Sequence, residues 1–192
     1  LNFEPETSNI KFVGTSGQGG TYLLRIAVSR PLPVAFGRFR GGEPVAVPRG
    51  TLVYVGSALA EKGAASLARR LLRHATRSGG KPPHHLRAEM LAAFSAAGLA
   101  AKNLFPKNEK KLRWHIDFLL EETAAEIDRV LVIRSPKRLE SVVAAIVAAD
   151  PRSMPLAAGL GASDTPGETH LFRVPDDEGW WEMLAARSFH LA

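Results

Sequence analysis

Cysteine is absent from the 192 residues. That excludes disulfides, thiolate metal sites and cysteine nucleophiles. Tyrosine is nearly absent, with only Tyr22 and Tyr54. No apolar run reaches the ~18 residues of a membrane span, because small and charged residues interrupt every candidate. The stretch 1–12 lacks the basic start and apolar core of a secretory signal, so a cytoplasmic protein is expected. Acidic residues are scarce in one stretch: residues 61–115 hold three of them against twelve Lys and Arg.

What is present suits one domain with a real core, 45% apolar and 23% charged residues. The net charge is +6, but its distribution matters more. The middle block is strongly basic and the last 77 residues are acidic, with seven basic against thirteen acidic side chains. Concentrated Lys and Arg favour polyanions through counterion release and Coulomb steering. An acidic protein partner and a simple solvated face are the competing readings.

Residues 1–19 read as a loose leader ending in Ser16-Gly-Gln-Gly-Gly20. Strands are expected at Thr21–Val28, Val34–Phe39 and Thr51–Val55, joined by Pro and Gly turns into an antiparallel meander. Leu67, Leu71 and Ala75 share one face of an expected helix over Ala64–Thr76. A second, alanine-rich helix spans Leu86–Ala101, and Trp114–Thr123 is helical or mixed. Ile127–Ile133 reads as a strand. Pro136–Ala149 reads as a helix with Ser135 as N-cap and Pro136 at its first position. A glycine-containing loop over 157–168, a strand at Thr169–Val174 and a C-terminal helix from Glu178, capped by Asp176 or Asp177, complete the chain. The fold class expected is α/β (α+β), with a mainly antiparallel sheet flanked by helices. The division is a leader 1–19, a domain 20–175 with a basic insertion at about 78–110, and a helical end 176–192.

Both tyrosines stand beside glycines in expected strands, as Gly20-Thr21-Tyr22 and Tyr54-Val55-Gly56, and a helix bearing Arg69, Arg70, Arg73 and His74 follows. Taken together, GTY (20–22), VPRGTLVYVGSA (47–58), RRLLRH (69–74), WHIDFLL (114–120) and GLGASD with THLF (159–172) resemble the GIY-YIG nuclease superfamily, and within it the domain of unknown function 123, or Uri-type, family. The resemblance runs from about residue 20 to residue 174. It implies a GIY-YIG-like fold and a divalent-metal-dependent endonuclease. Tyr54 would be the general base, Tyr22 its supporting partner, Arg70 the phosphate clamp with His74 one turn on, and Glu140 the ligand of Mg²⁺ (or Mn²⁺). Nucleic acid, DNA in the first instance, would lie across Arg69, Arg73, Arg77, Lys81, Lys110 and Lys111.

Elementary chemistry is compatible with those roles. Phosphodiester hydrolysis needs an activated water, a clamp on the phosphoryl oxygens and help for the leaving oxygen. A phenol, near pKa 10 in isolation, acts as a base more readily when neighbouring cations lower it. Each residue also has a plainer reading: a strand tyrosine packs, an arginine on a basic helix is solvated, and an acid in a first helical turn answers the macrodipole. His115, Asp117, Asp164 and His170 are metal-competent types, and a hydrogen-bonded structural network is the alternative to a metal site. The two tyrosines are 32 positions apart, farther than in compact GIY-YIG domains, and the expected Val34–Phe39 strand fills the gap as in the resembling family. The sequence departs from that family at three places. Ser57 stands where many active members have lysine. Residues 165–169 and Ser141 stand where cysteines are common. A catalytically inactive nucleic-acid-binding module on the same scaffold is therefore the alternative function.

Overall fold

The computed structural model describes residues 8–14, 17–99, 104, 109–162 and 167–191. Strand β2 (Gly20–Val28) is buried on both sides, and only Ala27 along it is not buried. It pairs antiparallel with β5 (Gly50–Ala58) on one side and with β6 (Ala125–Arg134) on the other. Strand β1 (Ile10–Val13) adds to β6 in parallel, β8 (Leu171–Val174) adds antiparallel to β5, and the short β7 (Met154–Pro155) closes that edge. The order β1-β6-β2-β5-β8-β7 makes a six-stranded, mainly antiparallel sheet. A small hairpin of β3 (Leu32–Val34) and β4 (Val45–Val47) occupies the link between β2 and β5.

Period-two alternation along these strands sends side chains to two faces. Tyr22, Leu24, Ile26, Leu52 and Tyr54 form one core with α1 (Leu67–His74), α2 (Arg87–Ala96) and α3 (His115–Leu120). Leu23, Val53, Val55, Leu131 and Ile133 form the other with α4 (Glu140–Ala148) and α5 (Glu178–Phe189). The mixed α/β class with a mainly antiparallel sheet agrees with expectation.

Several local expectations change. Ile10–Val13 is not a loose leader, because Ile10 and Val13 are buried and the strand is registered on Val130–Ile133. The second expected strand, Val34–Phe39, is not found as placed: the strand is Leu32–Val34, sharing only Val34 with it, and the chain beyond turns into a short 3-10 segment at Phe39–Gly42. Helix α4 starts at Glu140 rather than Pro136; Leu139 occupies the cap position, packs in the core, and accepts the Val143 amide at 2.8 Å. Ser135 therefore caps nothing. Asp177 does cap α5, accepting from the Gly179 amide at 2.9 Å. Of the segment 78–110, α2 is packed on the sheet: Met90 and Phe94 are buried, and Phe94 meets Phe12 edge-on with ring centroids 6.2 Å apart. Lys102 and Lys107 lie outside the described residues.

Two glycines permit close approaches that position the site. A Cβ at Gly20 would stand 2.2 Å from the Ile133 carbonyl oxygen, so the β2–β6 pairing there needs glycine. A Cβ at Gly56 would stand 2.6 Å from the Tyr22 phenol, so Gly56 makes the room in which that ring lies.

Candidate active site

Register builds the site at one end of the sheet. Tyr22 pairs across the ladder with Gly56, and Tyr54 with Leu24, so both rings point to the α1 face, with centroids 6.3 Å apart. Helix α1 buries Leu67, Leu71 and Leu72 on that face and thereby turns His74 inward, where it is fully buried. The Tyr22 hydroxyl lies 2.9 Å from His74 Nε2. Asp117 Oδ1 faces His74 Nδ1 at 3.4 Å, which assigns the proton to Nδ1 and makes Nε2 the acceptor of the Tyr22 hydroxyl. Arg73 grips the same carboxylate with two nitrogens at 2.7 and 3.0 Å, and the amides of Arg113 and Trp114 donate to it at 2.8 and 3.0 Å. Asp117 thus also satisfies orphan donors at the start of α3. The Arg70 guanidinium stacks on Trp114, 3.8 Å from the ring centroid, and Arg73 lies 4.5 Å from the same centroid.

Burial sets the proton affinities. It pushes the Tyr22 phenol well above its usual value, with Arg70 pulling down against it and Glu140 and Asp117 pushing further up. Tyr54 is likewise raised by burial and by Tyr22 and Glu140. The expected lowering of the phenols by cations is thus outweighed by desolvation. Burial also lowers His74 to about 4, against the pull of Asp117, so the imidazole is neutral near pH 7. For Asp117, burial alone would raise the carboxyl, but the bonds from His74, Arg73 and the Trp114 amide hold it far below the usual range.

Glu140 reaches the same end of the sheet from the other side. The body of α4 packs on the face opposite the two phenols. Its first residue nevertheless lies at the sheet end, and its charge helps raise both tyrosines. Ser57 donates to Oε2 at 2.5 Å, and His170 Nδ1 lies 3.0 Å from Oε1. His170 Nε2 in turn lies 2.9 Å from Glu168, whose carboxylate also accepts from Ser141 at 2.8 Å. Against its own desolvation, His170 and Ser57 lower the Glu140 carboxyl and keep it ionised. His170 is raised because its two carboxylates outweigh burial.

The structure sorts the expected residues into groups. Tyr22, Tyr54, His74 and Arg70 come together on one face, while Glu140 sits with Ser57 and His170 on the other. Arg69 and Arg73 are half-buried on α1, and Lys111 is exposed. Two expected nucleic-acid contacts are corrected. Arg77 is buried and donates to the carbonyls of Leu120, Pro82 and Ala125 at 3.1, 2.9 and 2.6 Å and to Glu126 at 3.0 Å. Lys110 is buried, donates to the Thr76 carbonyl at 2.8 Å and pairs with Glu121 at 3.0 Å. Both hold the chain after α1 to α3, because a buried cation must find acceptors inside the protein. Lys81 is exposed and donates to the Glu121 carbonyl at 3.1 Å.

His115 and Asp117 are two residues apart on a helix and do not act together; His115 Nδ1 accepts from the Gly161 amide at 3.2 Å. Asp164 lies outside the described residues. Among the described residues no group of three His, Cys, Asp or Glu side chains could hold a metal ion. Nor is any helix among them long and apolar enough to cross a membrane. Sequence reasoning missed Trp114 as a platform for two guanidiniums and Ser57 and Glu168 as parts of the Glu140–His170 cluster. The Trp-His-Ile-Asp run was the available signal for Trp114; nothing in the sequence pattern linked Glu168 to His170.

A family model described as Domain of unknown function DUF123 matches residues 21–189. The chain belongs to the DUF123 family. The match spans every strand from β2 to β8 and all five helices described above. Among curated proteins and among solved structures nothing matches the chain. In this DUF123 chain the matched region includes both tyrosines, α1, the Asp117 helix and Glu140.

Proposed function

We propose that this DUF123 chain binds nucleic acid and hydrolyses a phosphodiester bond, as a metal-dependent endonuclease of the GIY-YIG type that its motifs resemble. The observation that supports this most is the Tyr22 hydroxyl bonded to a neutral His74 at 2.9 Å, with Tyr54 and Arg70 beside it. Titratable groups perturbed by burial and specific partners concentrate at functional sites.

In this reading Tyr54 takes the proton from the attacking water, and Tyr22 and His74 hold the hydroxyl geometry behind it. Asp117 fixes the His74 tautomer and ring orientation. Arg70, stacked on Trp114 and so pre-oriented, clamps a phosphoryl oxygen. Glu140 fits Mg²⁺ (or Mn²⁺) as a single ligand: its carboxylate is ionised and oriented, and each oxygen keeps a lone pair beyond the bond from Ser57 or His170. An ion that keeps most of its water shell needs one or two carboxylates. When bound, it would supply charge neutralisation at the leaving oxygen. Because burial holds both phenols above their usual range, cleavage should rise with pH through 7 to 9 without a plateau. A rate that levels off below pH 8 would speak against a tyrosine base. The exposed and half-buried cations Arg69, Lys81 and Lys111 supply the backbone contacts, since Arg73 is committed to Asp117, and a DNA strand is the first substrate to try.

One observation favours the inactive binding module instead. Ser57 and His170 already occupy both Glu140 oxygens, and α4 lies across the sheet from the phenols. That reading predicts salt-sensitive DNA or RNA binding and no cleavage with Mg²⁺ or Mn²⁺. Incubation of labelled single- and double-stranded DNA and RNA with either ion, and gel-shift titration at two salt concentrations, separates the two.

A further inference from the structure

The far end of the β2–β5 ladder, where Val28 pairs with Gly50, carries a second concave surface. Between the β3–β4 hairpin and the edge strand β7 lies a cavity of about 680 Å³, walled by Pro31, Pro33, Pro48, Met154, Pro155 and Leu156. Met154 is exposed there and forms part of the apolar wall. A smaller pocket of about 210 Å³ adjoins it, and Pro48, Met154 and Arg173 line both. The smaller pocket gathers three arginines from separate segments: Arg49 before β5, Arg152 before β7 and Arg173 on β8.

The pocket lining carries three arginines and one acid, Asp176. Arg152 is held by Asp150 at 3.0 Å and lies 3.9 Å from Asp177. Asp176, the acid on the wall, accepts from the Thr51 hydroxyl at 3.0 Å. Arg49 and Arg173 are exposed and have no ion-pair partner among the described residues. Two planar guanidinium forks beside a backbone turn suit a phosphate group better than a lone carboxylate, which one fork satisfies. Register places Arg173 directly opposite Met154, so an anion on the arginine continues into the apolar cavity. Flat proline faces and an adaptable methionine suit a planar body. The cavity volume falls within the ~300–1,000 Å³ of small-ligand sites.

We propose that this groove binds a phosphomonoester attached to a flat, mainly apolar body: a mononucleotide, or the phosphorylated end of a nucleic-acid strand. The phosphate sits on Arg49 and Arg173, and the base lies against Met154 and the prolines. The site is at the opposite end of the ladder from Tyr22 and does not depend on the hydrolytic reading.

Calorimetric titration of the full chain with adenosine 5′-monophosphate tests this, with adenosine and inorganic phosphate as partial probes. Saturable binding of the nucleotide is expected, with each partial probe weaker by about tenfold or more. The double variant Arg49→Ala/Arg173→Ala should weaken the nucleotide by about tenfold or more, and Met154→Ala by less. Both changes are at exposed side chains, so the melting temperature should stay within about 2 °C of wild type, since surface changes are nearly neutral. A 5′-phosphorylated single strand binding more tightly than its unphosphorylated twin and than the nucleotide identifies a strand end as the ligand. Equal binding of both strands, with the nucleotide tighter, identifies a free nucleotide. No saturable heat with the nucleotide, or wild-type affinity in the folded double variant, overturns the proposal. Cleavage is not read at any step, so failure of the hydrolytic reading leaves this result interpretable.

Discussion

The two faces of the sheet carry polar clusters built on opposite terms. On the α1 face, Tyr22, His74 and Asp117 are sealed from water, and each group is held by the next. On the α4 face, the Glu140 and Glu168 side chains are partly solvent-accessible around a buried His170. The sealed cluster is where the protein stores stability and geometry. The open cluster is the one that solvent still reaches. The contrast teaches that residues legible as one motif set can be split by a sheet, with one half packed and the other half at the rim.

That contrast can be broken by mutation. The largest effect is expected from Asp117→Ala, which leaves Arg73 and His74 without their shared carboxylate. Losing one partner of a buried pair costs about 3–5 kcal/mol, read as a drop in the urea midpoint. The matching removal on the other side, Glu140→Gln, should cost less, about 1–2 kcal/mol, because the side chain keeps some solvent access and the amide oxygen can still accept a hydrogen bond. Equal losses would erase the distinction between the faces.

Acidity separates the faces with opposite signs. His74 is depressed from 6.5 to about 4, so the unfolded chain takes up the proton first and stability falls as pH drops from 6.5 toward 4. The limit of that loss is on the order of 3 kcal/mol. His170 is raised, so its contribution is full below 6.5 and fades as pH climbs through its folded value. Denaturation across pH 4–9 should therefore show His74→Gln flattening the acid limb and His170→Gln flattening the neutral-to-alkaline limb. A reversed assignment would refute the burial argument.

A smaller change probes the geometry alone. Gly56→Ala places a methyl group against the Tyr22 ring and should cost about 1–3 kcal/mol by overpacking. Its Tyr22 ring should show displaced NMR resonances. The least costly is Ser57→Ala, expected at about 1 kcal/mol or less, through loss of one donor to Glu140. If Ser57→Ala matched Asp117→Ala in cost, the open cluster would be as structural as the sealed one.

Much of this architecture was readable from local patterns. Alternation and turn residues marked β2, β5, β6 and β8, and four-residue leucine spacing marked α1. Those signals reflect burial periodicity, which a sequence carries directly. A cap at Asp176 or Asp177 was legible before α5, and the structure settles it on Asp177, which accepts from the Gly179 amide. What was hidden needed three dimensions. Strand β1 is only four residues long and exists through its parallel pairing with a strand more than a hundred positions away. Ser135-Pro136 has the form of a helix start, yet the buried Leu139 moves the first turn to Glu140. The basic block misled most. Its Arg73, Arg77 and Lys110 are matched in space by Asp117, Glu126 and Glu121 from the acidic segment that follows. Charge segregated along the chain is thus interleaved in the fold, and the surface left for a polyanion is smaller than composition suggested. The tyrosines, Arg70 and His74 did converge, because pairing register and helix face follow from spacing.

The central proposal is that Tyr54, backed by the sealed cluster, and Glu140 act together in one hydrolytic site. Cleavage of labelled DNA with Mn²⁺ should be compared for wild type, Tyr54→Phe and Glu140→Gln, all shown to be folded by their unfolding midpoints. Wild type should cleave, and each variant should lose about 10²–10³ in rate, the scale of removing one transition-state group. Equal cleavage by all three proteins would contradict the claim.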